Sequence, residues 1–207
     1  MMHAPSPAST TELHPRRLAP AMIRCEARAS ASPAFSYRIV PVVEVRGEII
    51  AVCTTTLHAP GLAAESGGIR AVAAAACTLG TAIQERISAL FAARQPSRAL
   101  ALDIVSNELL FRLADRVLAA IRKEARRNGL RTGIDLSPGD PGVPLGQQAA
   151  VLGLAHAAPQ GIAATEAGVL FPVKSLSFVV ALGPTLRRRS TSGRCNCCPS
   201  RDRCTVK

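Results

Sequence analysis

Four cysteines fall within ten residues near the end of the chain: Cys195, Cys197, Cys198 and Cys204, spaced Cys-x-Cys-Cys-x5-Cys. Four thiolates this close can surround a tetrahedral zinc ion or an iron–sulfur cluster. The spacing is neither the paired Cys-x2-Cys of zinc ribbons nor the standard ferredoxin run. Arg194, Arg201 and Arg203 are interleaved with them, and neighbouring positive charge favours the thiolate form. The other three cysteines, Cys25, Cys53 and Cys77, are isolated. Other candidates for chemistry are sparse. His58 and His156 are lone histidines and read as core or loop positions. Asp103, Glu108 and Glu166 read as polar residues on structured segments. The sequence holds no P-loop, dinucleotide-binding glycine motif or nucleophile elbow.

The charge follows the cysteines. The chain has 207 residues and a formal net charge of +11. Residues 187–207 carry seven Arg and Lys against Asp202 alone, and residues 98–131 carry eight against four acids. Arg187-Arg188-Arg189 can bind phosphate or an acidic protein face, or can simply be a solvated run. Five Phe, one Tyr and no Trp leave few aromatic platforms, which argues against a single-strand nucleic-acid binder. No stretch of about 18 apolar residues exists, so no transmembrane helix is expected. The N-terminus lacks a signal-peptide core, and Met22 is an alternative start. The default location is cytoplasmic, where clustered thiols suggest metal rather than disulfide.

The elements that must position these residues fall into three parts. Residues 1–33 are rich in Pro, Ala, Ser and Thr without periodicity and read as a disordered leader. Residues 34–185 form the folded domain. Tyr37–Val45, the turn at Arg46-Gly47-Glu48 and Ile49–Cys53 read as a hairpin, with Pro41 placing the first strand at an edge. Ala71–Cys77 is apolar and short, and periodicity does not decide between buried strand and helix. Thr81–Ala93 is helical, with Thr81 as cap and Ile83, Ile87, Leu90 and Phe91 on one face. A long helix opens at Ser97 and ends in Arg122, Lys123, Arg126 and Arg127, with Gly129 just past its end. Thr132–Ser137 is a strand, and 138–144 is a Pro/Gly loop. Leu145–His156 is a helix. Residues 162–168 and 173–182 alternate like two strands paired about a turn near Phe171-Pro172. After Pro184 the core ends, and residues 186–207 are a basic, Cys-rich tail. The class is α+β, with helices flanking one antiparallel sheet.

The order of several short motifs carries a resemblance. Cys77-Thr78-Leu79-Gly80 is followed by Ala101-Leu102-Asp103 in the long helix, then Gly129-Leu130. Next come Leu136-Ser137-Pro138-Gly139, Pro144 and Gln147. Last come Gly161-Ile162-Ala163-Ala164-Thr165-Glu166 and Phe171-Pro172-Val173-Lys174-Ser175-Leu176-Ser177. This order resembles the reactivation domain of cobalamin-dependent methionine synthase, in a free-standing form, over about residues 35–184. In that family a Ser/Ala-Pro-Gly-Tyr loop precedes a helix, and a Thr-Glu motif precedes a Pro-x-x-Ser-x-Ser strand. Some free-standing versions carry a short C-terminal Cys cluster.

The resemblance implies a curved domain with a twisted antiparallel sheet. It implies S-adenosylmethionine as ligand, gripped by the Pro-Gly loop, with Ser137, Gly139, Thr165 and Glu166 as the matching residues. It implies cobalamin on a partner: a corrinoid protein, or a methionine synthase lacking its own activation domain. The domain would return cob(II)alamin to methylcobalamin with one electron and a methyl group from S-adenosylmethionine. Methylation traps the unfavourable Co(I) state and pulls the reduction forward. The tail cysteines would hold an iron–sulfur cluster or zinc, and a separate electron donor is a possible further partner. Where the family loop carries Arg and Tyr, this chain has Asp135 and Asp140, and an acid repels a ligand carboxylate at short range. Two alternatives stand beside the first reading, one from these acids and one from the basic tail. One is a non-catalytic binding protein of the same fold that no longer takes S-adenosylmethionine. The other is a basic zinc-binding module associated with nucleic acid.

Overall fold

The structure is a computed structural model and describes residues 20–52, 55–65 and 68–187. Its framework is a six-stranded antiparallel sheet. The strands are β1 (Ala34–Arg46), β2 (Ile49–Val52), β3 (Thr55–His58), β4 (Ala71–Thr78), β5 (Arg131–Leu136) and β8 (Ser175–Gly183), in the order β3-β2-β1-β4-β8-β5. A two-stranded ribbon, β6 (Ala163–Ala164) with β7 (Leu170–Phe171), stands apart from it. One face of the sheet is covered by α1 (Pro20–Ser30), α3 (Ala82–Ala92) and α4 (Pro96–Arg127). The other is covered by α2 (Pro60–Ala63) and α5 (Gln148–Ala155). The α+β class and the flanked antiparallel sheet are as the sequence predicts.

The Ala-rich segment that periodicity left open is β4, and all eight of its residues are buried. Ala73, Ala75 and Cys77 pack toward the α4 side, while Val72, Ala74 and Ala76 pack toward the α5 side. A strand buried on both faces shows no apolar alternation, and small side chains let both helix layers sit close. Tertiary burial overrides the weak strand propensity of alanine.

Pro41 does not lie on an edge strand, because β1 sits between β2 and β4. The strand changes partner at this point: Ala34–Pro41 pair with β4, and pairing with β2 begins at Val42. Up to Pro41 the strand thus has one open side, which is where a residue without an N–H is tolerated. A register shift between Val42 and Glu44 follows, and such a bulge bends the strand.

Other expectations are corrected. Residues 20–30 of the supposed leader are helix α1, with Ile23 and Ala27 buried against α3 and α4. Thr81 precedes α3 but makes no side-chain cap bond, and Phe91 is exposed rather than packed. Residues 163–164 pair with 170–171, not with 173–182; β8 lies between β4 and β5. The core extends past Pro184, because Leu186 is 3% exposed. The long helix ends as predicted. Gly129 (φ +68) sends its N–H to Arg126 O, and Leu130 N–H reaches Ala125 O, a Schellman closure. Among the described residues no helix is long and apolar enough to cross a membrane.

Candidate functional site

Ser137 and Gly139 follow β5 directly. The loop is tied to itself. Ser137 N–H donates to Asp140 Oδ2 (2.8 Å), and Gly139 N–H donates to Val143 O (2.8 Å). Asp140 N–H returns to Ser137 O (2.9 Å), and Val143 N–H returns to Asp140 O (3.0 Å). Asp140 therefore plays a local part: its carboxylate holds the turn by reaching back to the N–H three residues earlier. Gly139 has φ +98 and Gly142 φ +103, a region open to glycine. At Gly142 the chain also touches α2. Gly61 N–H donates to Gly142 O (3.0 Å), and a Cβ on Gly142 would lie 2.7 Å from Gly61 Cα.

Thr165 and Glu166 lie in the tight connection of the β6–β7 ribbon. Thr165 N–H donates to Val169 O (2.9 Å), Gly168 N–H to Thr165 O (2.9 Å), and Val169 N–H to Thr165 Oγ1 (3.2 Å). Leu145 links this ribbon to the Pro-Gly loop. A Cβ on Gly168 would lie 2.9 Å from Leu145 Cγ, and one on Gly139 would lie 3.7 Å from Leu145 Cδ1. Gly139 and the Thr-Glu turn are thus both brought to one side chain. Ser137 instead opens, with Asp135, onto a cleft of about 100 Å³ against Asp115, Phe111 and Phe178. That volume is below the roughly 300–1,000 Å³ usual for small-molecule sites.

The remaining motif residues knit the frame. Lys174 is buried, and its Nζ donates to Asp103 Oδ1 (2.6 Å) and Asn107 Oδ1 (2.7 Å) of α4. Ser175 Oγ donates to Thr78 Oγ1 (2.8 Å), which also accepts from Gly80 N–H (3.0 Å). Gln148 Nε2 donates to Ser177 Oγ (2.6 Å), and His58 N–H donates to Gln147 Oε1 (3.0 Å). These are buried polar groups meeting their hydrogen-bond demand. From the sequence Asp103 reads as an ordinary polar residue, because its partner Lys174, just ahead of β8, lies 71 positions away. Cys77 is buried, and burial pushes its thiol up to about 12, so it stays protonated and inert. His58 pairs with Glu48 at 2.9 Å on the surface; His156 ends α5 in a left-handed conformation and lines a cavity of about 350 Å³ with Ala163 and Ala164 of β6, next to the Thr-Glu turn.

Cys195, Cys197, Cys198 and Cys204 lie outside the described residues. Among the described residues no three His, Cys, Asp or Glu side chains gather as a metal site.

No family model matches the chain, and no curated protein does. Among solved structures it is similar to the MetH reactivation domain bound to AdoHcy, with a TM-score of 0.63 and 16% identity. That likeness covers 82% of this chain and 67% of the other. At such identity it shows a common fold.

Proposed function

We propose that the chain is an accessory module for the reductive reactivation of a corrinoid methyltransferase of the methionine synthase type. The observation that carries this reading is the fold likeness over 82% of the chain; the motif order from Cys77 to Ser177 accords with it. The folded domain would dock on a cobalamin-bearing protein that lacks its own activation domain. Cys195, Cys197, Cys198 and Cys204 are a donor set that fits an iron–sulfur cluster or zinc, and a cluster would supply one-electron capacity. The test is return of activity. A methionine synthase without its reactivation domain, held as cob(II)alamin, should regain turnover when this chain, a reductant and S-adenosylmethionine are added together. No recovery with any reductant sinks the reading. Iron, sulfide and zinc analysis after anaerobic purification decides the metal.

A second reading is favoured by the loop geometry: the module docks without binding S-adenosylmethionine. The N–H groups of Ser137 and Gly139 are already spent on Asp140 and Val143, and Asp135 stands where the family has Arg. Calorimetry with S-adenosylmethionine separates the two readings. Micromolar binding by the wild-type chain removes the second. Binding that appears only in an Asp135→Arg variant supports it.

A further inference from the structure

A second cavity lies at the opposite end of β5 from the Pro-Gly loop. It measures about 650 Å³ and is lined by Arg122 and Arg126 of α4, Arg131 and Thr132 of β5, and Leu186 and Arg187 after β8. The topology builds this convergence. The Schellman turn at Gly129-Leu130 sends the chain from the end of α4 straight into β5. The pairing of Arg131 with Gly183 sets the segment leaving β8 beside it. Arg122, Arg126, Arg131 and Arg187, from three segments, therefore line one space, the Nε of Arg122 being buried in its wall. Among the described residues, no carboxylate lines it. Glu124, on the same turn of α4, is engaged elsewhere by the Tyr37 hydroxyl (2.8 Å). Glu65 reaches the same end of β5 on the Leu186 side, with Oε2 3.0 Å from the place of a Cβ on Gly133.

The ordinary role for cations here is to cap the helix and offset its dipole. The end of α4 does not require them as caps. The carbonyls of Glu124, Ala125 and Arg126 already accept from Asn128 N–H, Asn128 Nδ2, Leu130 N–H and Gly129 N–H. Arg126, Arg131 and Arg187 set three like charges around one concavity; these repel one another, and an anion seated among them relieves that repulsion. Guanidinium forks match the paired oxygens of phosphate. The space is within the size range of small-ligand sites and larger than one phosphate fills.

The geometry points to a binding site for a small ligand carrying a diphosphate group, held by Arg126, Arg131 and Arg187, with Arg122 in the wall behind them. It is separate from the Pro-Gly loop and independent of the reactivation reading. Inorganic pyrophosphate is the probe, titrated into the full chain by calorimetry at low and physiological salt. Saturable binding at one site per chain is expected, tighter than for inorganic phosphate. An Arg126→Ala/Arg131→Ala variant should lose about tenfold or more in affinity. Arg187→Glu, outside every helix and strand, should lose as much and serves if the double variant does not fold. Arg112→Ala/Arg116→Ala, which removes two charges elsewhere on α4, should bind as wild type. Equal loss in that control, absence of saturable binding, or a DNA duplex that binds here and is not displaced by pyrophosphate would each overturn the assignment.

Discussion

At the scale of single residues, burial and partner decide which polar groups are reactive. Cys77 and Cys25 are the contrast. Cys77 is fully buried in β4 with its thiol pushed up to about 12, while Cys25 is exposed on α1. Native labelling with iodoacetamide at pH 8, read by peptide mass mapping, should modify Cys25 and leave Cys77 untouched until the chain is unfolded. Modification of native Cys77 at a comparable rate would contradict its placement. Glu26 is the second case. Burial raises its carboxyl, but hydrogen bonds and charge from Arg98 and Arg86 outweigh this and hold it below 4.5. A lowered folded value means its stabilisation is present above about 4.5 and lost as the pH falls through the folded value. Glu26→Gln should therefore cost about 1–2 kcal/mol at pH 7, and the difference from wild type in urea melts should shrink toward zero at low pH. The charge-bearing motif residues Asp103 and Lys174 teach the same lesson from the sequence side. Their types were legible, but their pairing at 2.6 Å spans 71 positions, and no local pattern encodes such a distance.

At the scale of elements, what the sequence showed depended on how much of each element faces water. The β1–β2 hairpin was legible because β-branched runs flank Arg46-Gly47-Glu48, and Gly47 adopts φ +55. The long α4 was legible because one stripe is apolar and its end carries Gly129. Helix α1 was not, nor were the short β3 and α2, nor the pairing of β8. Helix α1 buries only Ile23 and Ala27, too few apolar positions to stand out among Ala, Arg and Pro. Its hold depends on the reach of Glu26 to Arg86 (2.7 Å) and Arg98 (2.8 Å) on other helices. Ile23→Ala should cost about 2 kcal/mol or more in thermal or urea unfolding; a disordered segment would show no change. Strand β8 alternated well enough to be found, but alternation names no partner, so its place between β4 and β5 was missed. The candidate site was legible as motifs and not as geometry, because the capture of Ser137 N–H by Asp140 depends on the turn that the loop adopts.

At the scale of the whole molecule, β4 and β8 are the shared wall of two cores. Val72, Ala74 and Ala76 belong to the α5 side, Ala73, Ala75 and Cys77 to the α4 side, and β8 alternates in the same way. Neither layer of helices has a sheet of its own. Ala74→Leu should overpack the α5 side and cost about 1–3 kcal/mol. Like Ile23→Ala on the other side, it should lower the midpoint of a single transition. Two resolved transitions by circular dichroism would show that the layers unfold separately.

The Gly61–Gly142 contact has a thermodynamic corollary. The Pro-Gly loop is bolted to α2 at its far end and cross-braced by Asp140 within, so it has little conformational freedom left to lose. A ligand that meets this loop selects a surface already made, and its binding entropy carries no large ordering penalty. Gly142→Ala forces a Cβ to within 2.7 Å of the Gly61 backbone at φ +103. It should loosen the loop, cost about 1–3 kcal/mol in stability, and turn any ligand's entropy of association at this loop more unfavourable in calorimetry.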